Sequence, residues 1–431
     1  MRAVPPAWVW ADFGDVASID SNLVDPACFP DLPHIAPNHI ESHLGRLLPY
    51  GTVSEDGVTS SKHLFREGHI LYSKIRPYLA KAVVVGFGGL CSADMYPIST
   101  ALDVKYLHWW MLTPEFTAHA AGQQGRSVLP KINQRDLSKL PVPVPPLPEQ
   151  GRIVAAIEEH FSRLDAAEAD LRAALARTRR LMQATLIASI PCADVPVGWM
   201  VTTVDEAGRT DLGRQRSPKY HSGPSVRPYL RVANVFEDRL DLSDVMEMDF
   251  DDEAWSKYRL VHGDILLNEG QSPHLVGRPA MYRGEPEAVA FTNSLIRFRA
   301  HDDVESDWAL LVFRRHLHAR RFMKEASITT NIAHLALKRF RTVEFPKPPL
   351  SEQRRLIAQI RSDLDSVERV RDEIVTNLKR VAAARRSILA AAFSGRLVAQ
   401  DPADESASVL LERIATERAA GNPSRRKKAT P

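Results

Sequence analysis

The chain has 431 residues, 44% hydrophobic and 25% charged, enough to bury more than one core. No apolar run approaches the roughly eighteen residues a membrane span needs, and no signal peptide opens the chain, so a cytoplasmic protein without membrane contact is expected. The net charge of +3 does not by itself announce nucleic acid, and Cys28, Cys91 and Cys192 fit neither a disulfide framework nor a zinc site.

From the N-terminus, Val4-Pro5-Pro6-Ala7-Trp8 leads into a mixture of short β-rich runs, such as Lys81-Ala82-Val83-Val84-Val85, with Gly and Pro punctuation. Lys74-Ile75-Arg76-Pro77-Tyr78 follows directly on a predicted strand, and Arg126 and Lys131 flank a last loop rich in Gly, Gln and Ser. The turn Pro145-Pro146-Leu147-Pro148-Glu149-Gln150 then opens a helix over about 147–190. Its seam positions (Ile153, Ile157, Phe161, Leu164, Leu171, Leu175, Thr178, Met182 and Thr185) recur at alternating steps of three and four, as in a coiled coil.

The second half repeats the first. Val195-Pro196-Val197-Gly198-Trp199 resembles the opening, and Val261-His262-Gly263-Asp264-Ile265-Leu266 resembles Arg66-Glu67-Gly68-His69-Ile70-Leu71. Leu295-Ile296-Arg297-Phe298 is a further β-rich run. Pro348-Pro349-Leu350-Ser351-Glu352-Gln353 then opens a second helix over about 350–393, with Ser351 as its expected N-cap. Its seam is Leu356, Ile360, Leu364, Val367, Ile374, Leu378, Val381 and Ile388. The offset of 203 residues, Glu149 to Glu352, holds without a gap for over forty residues. Glu168 and Arg371 break the seam at equivalent positions. Each helix should be about forty residues and roughly 60 Å long. A repeat of this kind dictates architecture. The expected fold is α+β: two similar globular domains, 1–145 and 192–347, joined by two long antiparallel coiled-coil helices, 146–191 and 348–394, with pseudo-twofold symmetry and a tail from 395 to 431.

Enzyme motifs are missing. There is no Gly-Lys dipeptide and hence no P-loop, no Gly-x-Gly-x-x-Gly loop, no His-Glu-x-x-His helix, and no catalytic tetrapeptide of the amino-methylating DNA methyltransferases. His34, His39 and His43 share neither one helix face nor one strand, so no metal and no catalytic residue is assigned. Basic residues beside aromatics and polar loops are the better signal for base edges and phosphates. The candidate DNA-binding residues are Lys74, Arg76, Tyr78, Arg126 and Lys131 in the first half, and Lys219, Arg227, Tyr229, Arg231, Gln271, Ser272 and Arg278 in the second. The basic run Arg425-Arg426-Lys427-Lys428 reads as a solvated tail.

A tryptophan-bearing start, a β-rich domain, a Pro-Pro-Leu-x-Glu-Gln turn and a long helix, all twice over, resemble the specificity subunit of type I restriction–modification systems. The ending Leu389-Ala390-Ala391-Ala392-Phe393-Ser394-Gly395-Arg396-Leu397 also resembles the family's closing helix. The resemblance implies two target recognition domains, each reading one half of a split site in double-stranded DNA, with helix length setting the spacer. It implies docking of two modification (methyltransferase) subunits, which carry S-adenosylmethionine, and association with translocase–nuclease restriction subunits. This chain itself would hold no cofactor and do no chemistry. A coiled-coil scaffold with two protein-binding end domains is the alternative from another class. Salt-sensitive binding to a split duplex separates the two.

Overall fold

The two predicted long helices run over Leu147–Ser189 and Leu350–Ala392, 43 residues each. The computed structural model describes residues 4–122, 130–329 and 332–421. Arg126 and the basic run Arg425–Lys428 lie outside the described residues. The chain divides into two units, 1–170 with 377–431, and 171–376, so that each long helix contributes one half to each unit.

In the first unit, Ile153, Ile157 and Phe161 share a buried core with Leu389 and Phe393 from the far end of the second helix. In the second unit, Leu186 and Ile190 share a core with Ile357, Ile360 and Leu364 from that helix's beginning. Within each unit the start of one helix therefore packs with the end of the other, and the pair is antiparallel. Fully burying side chains of this size stabilises by about 1.5–3 kcal/mol each, which is what holds two otherwise solvent-facing helices together. Ile190, standing where the other copy has Phe393, is fully buried like its counterpart. The second helix begins at Leu350, so Ser351 lies inside the first turn and does not cap it.

The globular part repeats strand for strand. In the first unit a four-stranded sheet has the order Ala17–Ile19, Met95–Thr100, Ile70–Ser73, Ala82–Val84. In the second, the same order is made by Gly208–Leu212, Leu295–Ala300, Ile265–Asn268 and Pro279–Met281. The strand leading into each long helix pairs antiparallel with the strand that opens its domain, Pro141–Val144 with Val9–Asp12 and Glu344–Lys347 with Met200–Thr203. Below the shared sheet the units diverge. The first adds a four-stranded sheet ordered Leu23–Val24, Lys62–Phe65, Gly89–Cys91, His34–Ile35. The second has three strands, Met246–Asp249, Val226–Leu230 and Ala290–Phe291, with the helix Asp252–Tyr258 over them.

The segment after the second long helix, expected to be a tail, carries a helix at Ala407–Gly421. Its Ala407, Leu410 and Ile414 are buried in the first unit's core. Arg152 pairs with Asp404 at 2.6 Å, and Arg418 donates to the Gly14 carbonyl at 2.5 Å. Apolar positions on one helix face, not visible as a repeat, dock this segment.

Candidate nucleic-acid interface

The repeated Glu-Gln pair sits at the junction between each domain and its long helix. Gln150 accepts from the Asp103 backbone N–H at 2.9 Å and donates to the Pro145 carbonyl at 3.0 Å. Gln353 accepts from the Glu305 N–H at 2.9 Å and donates to the Pro348 carbonyl at 2.8 Å. Both side chains are fully buried, so the same amide ties the start of a domain helix (Val104–Met111 or Ser306–His318) to the start of a long helix. The glutamates differ. Glu149 is buried, its pKa pushed up by that burial, and it accepts from Trp8 Nε1 at 3.0 Å. Glu352 pairs with Arg355 at 2.8 Å on the surface side.

The first unit brings four of its five candidates together. Strand Ile70–Ser73 delivers Lys74, whose carbonyl accepts from the Ile132 N–H at 2.9 Å, while Arg76 N–H donates to Pro130 at 2.8 Å. Ile75 and Lys131 form an antiparallel bridge. Arg76 is exposed and adopts φ +48°, a left-handed conformation that costs a non-glycine residue about 1–2 kcal/mol. Strain of this kind collects at functional sites. Tyr78 is 47% exposed two residues on. The Lys74 ammonium stands 5.2 Å from the Tyr96 ring, and Lys131 pairs with Asp94 at 3.2 Å. These contacts hold the two lysines at the Ile75–Lys131 bridge, within reach of Tyr96 and Asp94.

The second unit distributes its candidates. Lys219 is exposed, 4.6 Å from the Tyr220 ring. Arg227 lies 4.5 Å over Trp255 and pairs with Asp252 at 3.4 Å. Arg231 pairs with Asp244. Tyr229, by contrast, is 2% exposed within a core of Met248, Phe250 and Ala290, and is a packing residue. The helix Asp252–Tyr258 covers the strand face that Arg227 and Tyr229 share. A second group follows strand Ile265–Asn268: Gln271, whose side chain accepts from the Ser272 N–H at 3.0 Å, and Arg278, 4.6 Å over Phe236. Burial lowers the Arg278 pKa.

Sequence reasoning passed over Arg214, which lies 3.9 Å over Tyr220, and Arg239, which lies 4.7 Å over Phe236. In both cases the aromatic partner sits three to six residues away, and that spacing was the available signal.

Cys192, His316 and Glu344 place ligand-type atoms within 4.8 Å of one another. Arg321 Nε donates to the Glu344 carboxylate at 2.8 and 3.0 Å, and His316 donates from Nε2 to the Glu344 carbonyl at 2.9 Å. Burial pushes the Cys192 thiol up to about 11. A protonated thiol and a carboxylate already held by a guanidinium describe a packed polar cluster, and no ion is assigned to it.

Residues 51–177 match the family described as "Type I restriction modification DNA specificity domain". The type I restriction enzyme EcoDI specificity subunit of Escherichia coli is 51% identical over 186 residues, 43% of this chain and 42% of that protein. The chain thus aligns with less than half the length of that relative. The StySPI specificity subunit of Salmonella potsdam is 25% identical over 309 residues, 67% of this chain and 66% of that protein. Among solved structures, a chain from a study of the assembly and conformational transition of the type I R-M system has a TM-score of 0.75 at 21% identity, covering 92% of this chain and all (100%) of that one. The HsdS subunit of Thermoanaerobacter tengcongensis has a TM-score of 0.52 at 23% identity, covering 92% and 98%. At those identities the structures show a shared fold, and the sequence matches show that residues 51–177 resemble the type I restriction modification DNA specificity domain, with further similarity to specificity subunits over part of their length.

Proposed function

We propose that this chain is the non-catalytic DNA-recognition subunit of a type I restriction–modification complex in the cytoplasm. Each domain reads one half of a split site in double-stranded DNA. The long helices set the spacer and dock two methyltransferase subunits, which supply S-adenosylmethionine, and restriction subunits complete the nuclease. The observation that carries this reading is the pairing of a scaffold kept strand for strand with a second sheet and loops that differ between the two units. One fold presenting two unlike surfaces suits a reader of an asymmetric, two-part address.

The test is a domain exchange read by methylome sequencing of the host. Replacing residues 1–140 with the equivalent part of a relative should change one half of the methylated site, and replacing 196–345 should change the other. A swap that alters both halves, or a host whose methylation does not depend on this gene, overturns the proposal.

A further inference from the structure

In the second unit, the segment between strands Gly208–Leu212 and Val226–Leu230 is a loop whose two ends are held by one residue. Asp249 accepts from the Arg214 guanidinium at 2.6 Å through its carbonyl and from the Ser225 N–H at 2.8 Å through its carboxylate. The Arg214 backbone is tied down as well, its N–H donating to the Phe291 carbonyl and its carbonyl accepting from the Asn293 N–H, both at 3.0 Å. Gly223 runs so close to Asp249 that a Cβ there would stand 2.3 Å from the carboxylate carbon. Compact loops with joined ends are frequently functional.

Between these anchors Gln215, Arg216, Lys219 and His221 are exposed. From Leu212 to Phe236 the chain carries five Lys or Arg and no acid. The cations gather round one small aromatic core, that of Tyr229, Met248 and Phe250, against which Tyr220 and Trp255 pack. Arg214 lies over Tyr220 and 5.0 Å from the Phe250 ring, Lys219 stands over Tyr220, Arg227 over Trp255, and Arg216 is 5.9 Å from the Tyr229 ring. Asp251 and Asp252 are met by Arg214 at 3.9 Å and by Arg227 at 3.4 Å. Arg216 and Lys219 have no acidic partner among the described residues.

We infer that this loop is a DNA-contacting element of the second recognition domain, with Arg216 and Lys219 on backbone phosphates and Gln215 on a base edge. The inference rests on reading this unit as a DNA-recognition domain. Because Asp249 joins both ends of the loop, its side chains are placed before DNA arrives, and less conformational freedom is lost on binding. Arg and Lys supply the phosphate contacts that set register, and a glutamine amide pairs bidentately with adenine. Exposed, unmatched cations suit a phosphate backbone better than a protein interface, whose centre is depleted of charge.

The test uses the full chain assembled with its modification subunits. Methylome sequencing of the wild-type host first defines the split site, and the domain exchange assigns one half of it to residues 196–345. Host methylation that does not depend on this gene overturns the proposed function and this inference with it. The probe is then a duplex carrying that site. The three substituted positions are exposed, so melting temperatures of the variants should hold. Arg216→Ser with Lys219→Ser should weaken binding to all sequences alike and reduce the salt slope by about two. Gln215→Ala should lower affinity for the site roughly tenfold and relax base preference at one position of that half-site, with the salt slope unchanged. Wild-type affinity, slope and preference in these variants, on a site that the wild type binds, would overturn this inference alone. So would normal DNA binding by a variant that no longer co-purifies with the modification subunits, since the loop would then be a protein contact.

Discussion

Arg385 donates to Glu168 at 3.1 Å, a charged pair joining the two long helices beside their apolar seam. Arg385 is only 7% exposed, lies 5.1 Å from the Phe161 ring and also contacts Asp165, which Arg46 of the globular domain reaches from the other side. The position equivalent to Arg385 in the first helix is Met182, an apolar residue, so the pair belongs to one unit only and marks register. Arg385→Ala should destabilise by about 2–3 kcal/mol, because Glu168 is left half-buried without this partner. Arg385→Met combined with Glu168→Leu should recover stability to within about 1 kcal/mol of wild type. Urea denaturation of the three proteins measures this. Equal losses in the single and double variants would mean that the charges do not act as a pair.

While fully buried, Gln150 satisfies one backbone donor and one carbonyl, and Gln353 one backbone donor and two carbonyls, those of Asp303 and Pro348. Replacing either with Leu removes these backbone partners, at a cost of about 1–3 kcal/mol per site. The two losses should add, since the sites belong to different units. Thermal melts of the single and double variants test both statements.

The seam positions are not equal. Ile374 is 7% exposed, whereas Leu171 is half-buried. Ile374→Asp should therefore cost about 3–5 kcal/mol and Leu171→Asp roughly half as much, by burial of an unpaired carboxylate. A reversed order in denaturant midpoints would misplace the seam.

The long helices were legible because helical periodicity is local and the repeat supplied it twice. The Glu-Gln pair was legible as a motif, though its role, an amide reaching back 47 residues to Asp103, depends on a contact no local pattern carries. Tyr229 shows the limit from the other side. Between Arg227 and Arg231 it reads as a surface aromatic, yet the helix Asp252–Tyr258, which follows over twenty residues later, covers its face of the strand.

His108 supplies a pH test. It is 4% exposed, donates from Nε2 to the Ala82 carbonyl at 3.2 Å, and burial lowers its pKa to about 4 from the usual 6.5. A depressed histidine pKa means that the unfolded chain binds the proton more readily than the folded one. The stability from a neutral His108 is therefore present above pH 6.5 and is lost as pH falls toward about 4. One pKa unit corresponds to about 1.4 kcal/mol, so acidification from near pH 7 to near pH 5 should cost about 2 kcal/mol through this group alone. His316, fully buried against the Glu344 carbonyl with its pKa held near 4 by burial, acts in the same direction in the second unit. His108→Gln removes the titration while keeping a donor for Ala82, so its denaturation midpoint should fall less steeply with acid than wild type. The variant starts lower, because the amide does not fill the imidazole's space, and only the difference in slope bears on the argument. Parallel pH profiles for wild type and His108→Gln would show that His108 is not neutral in the folded chain.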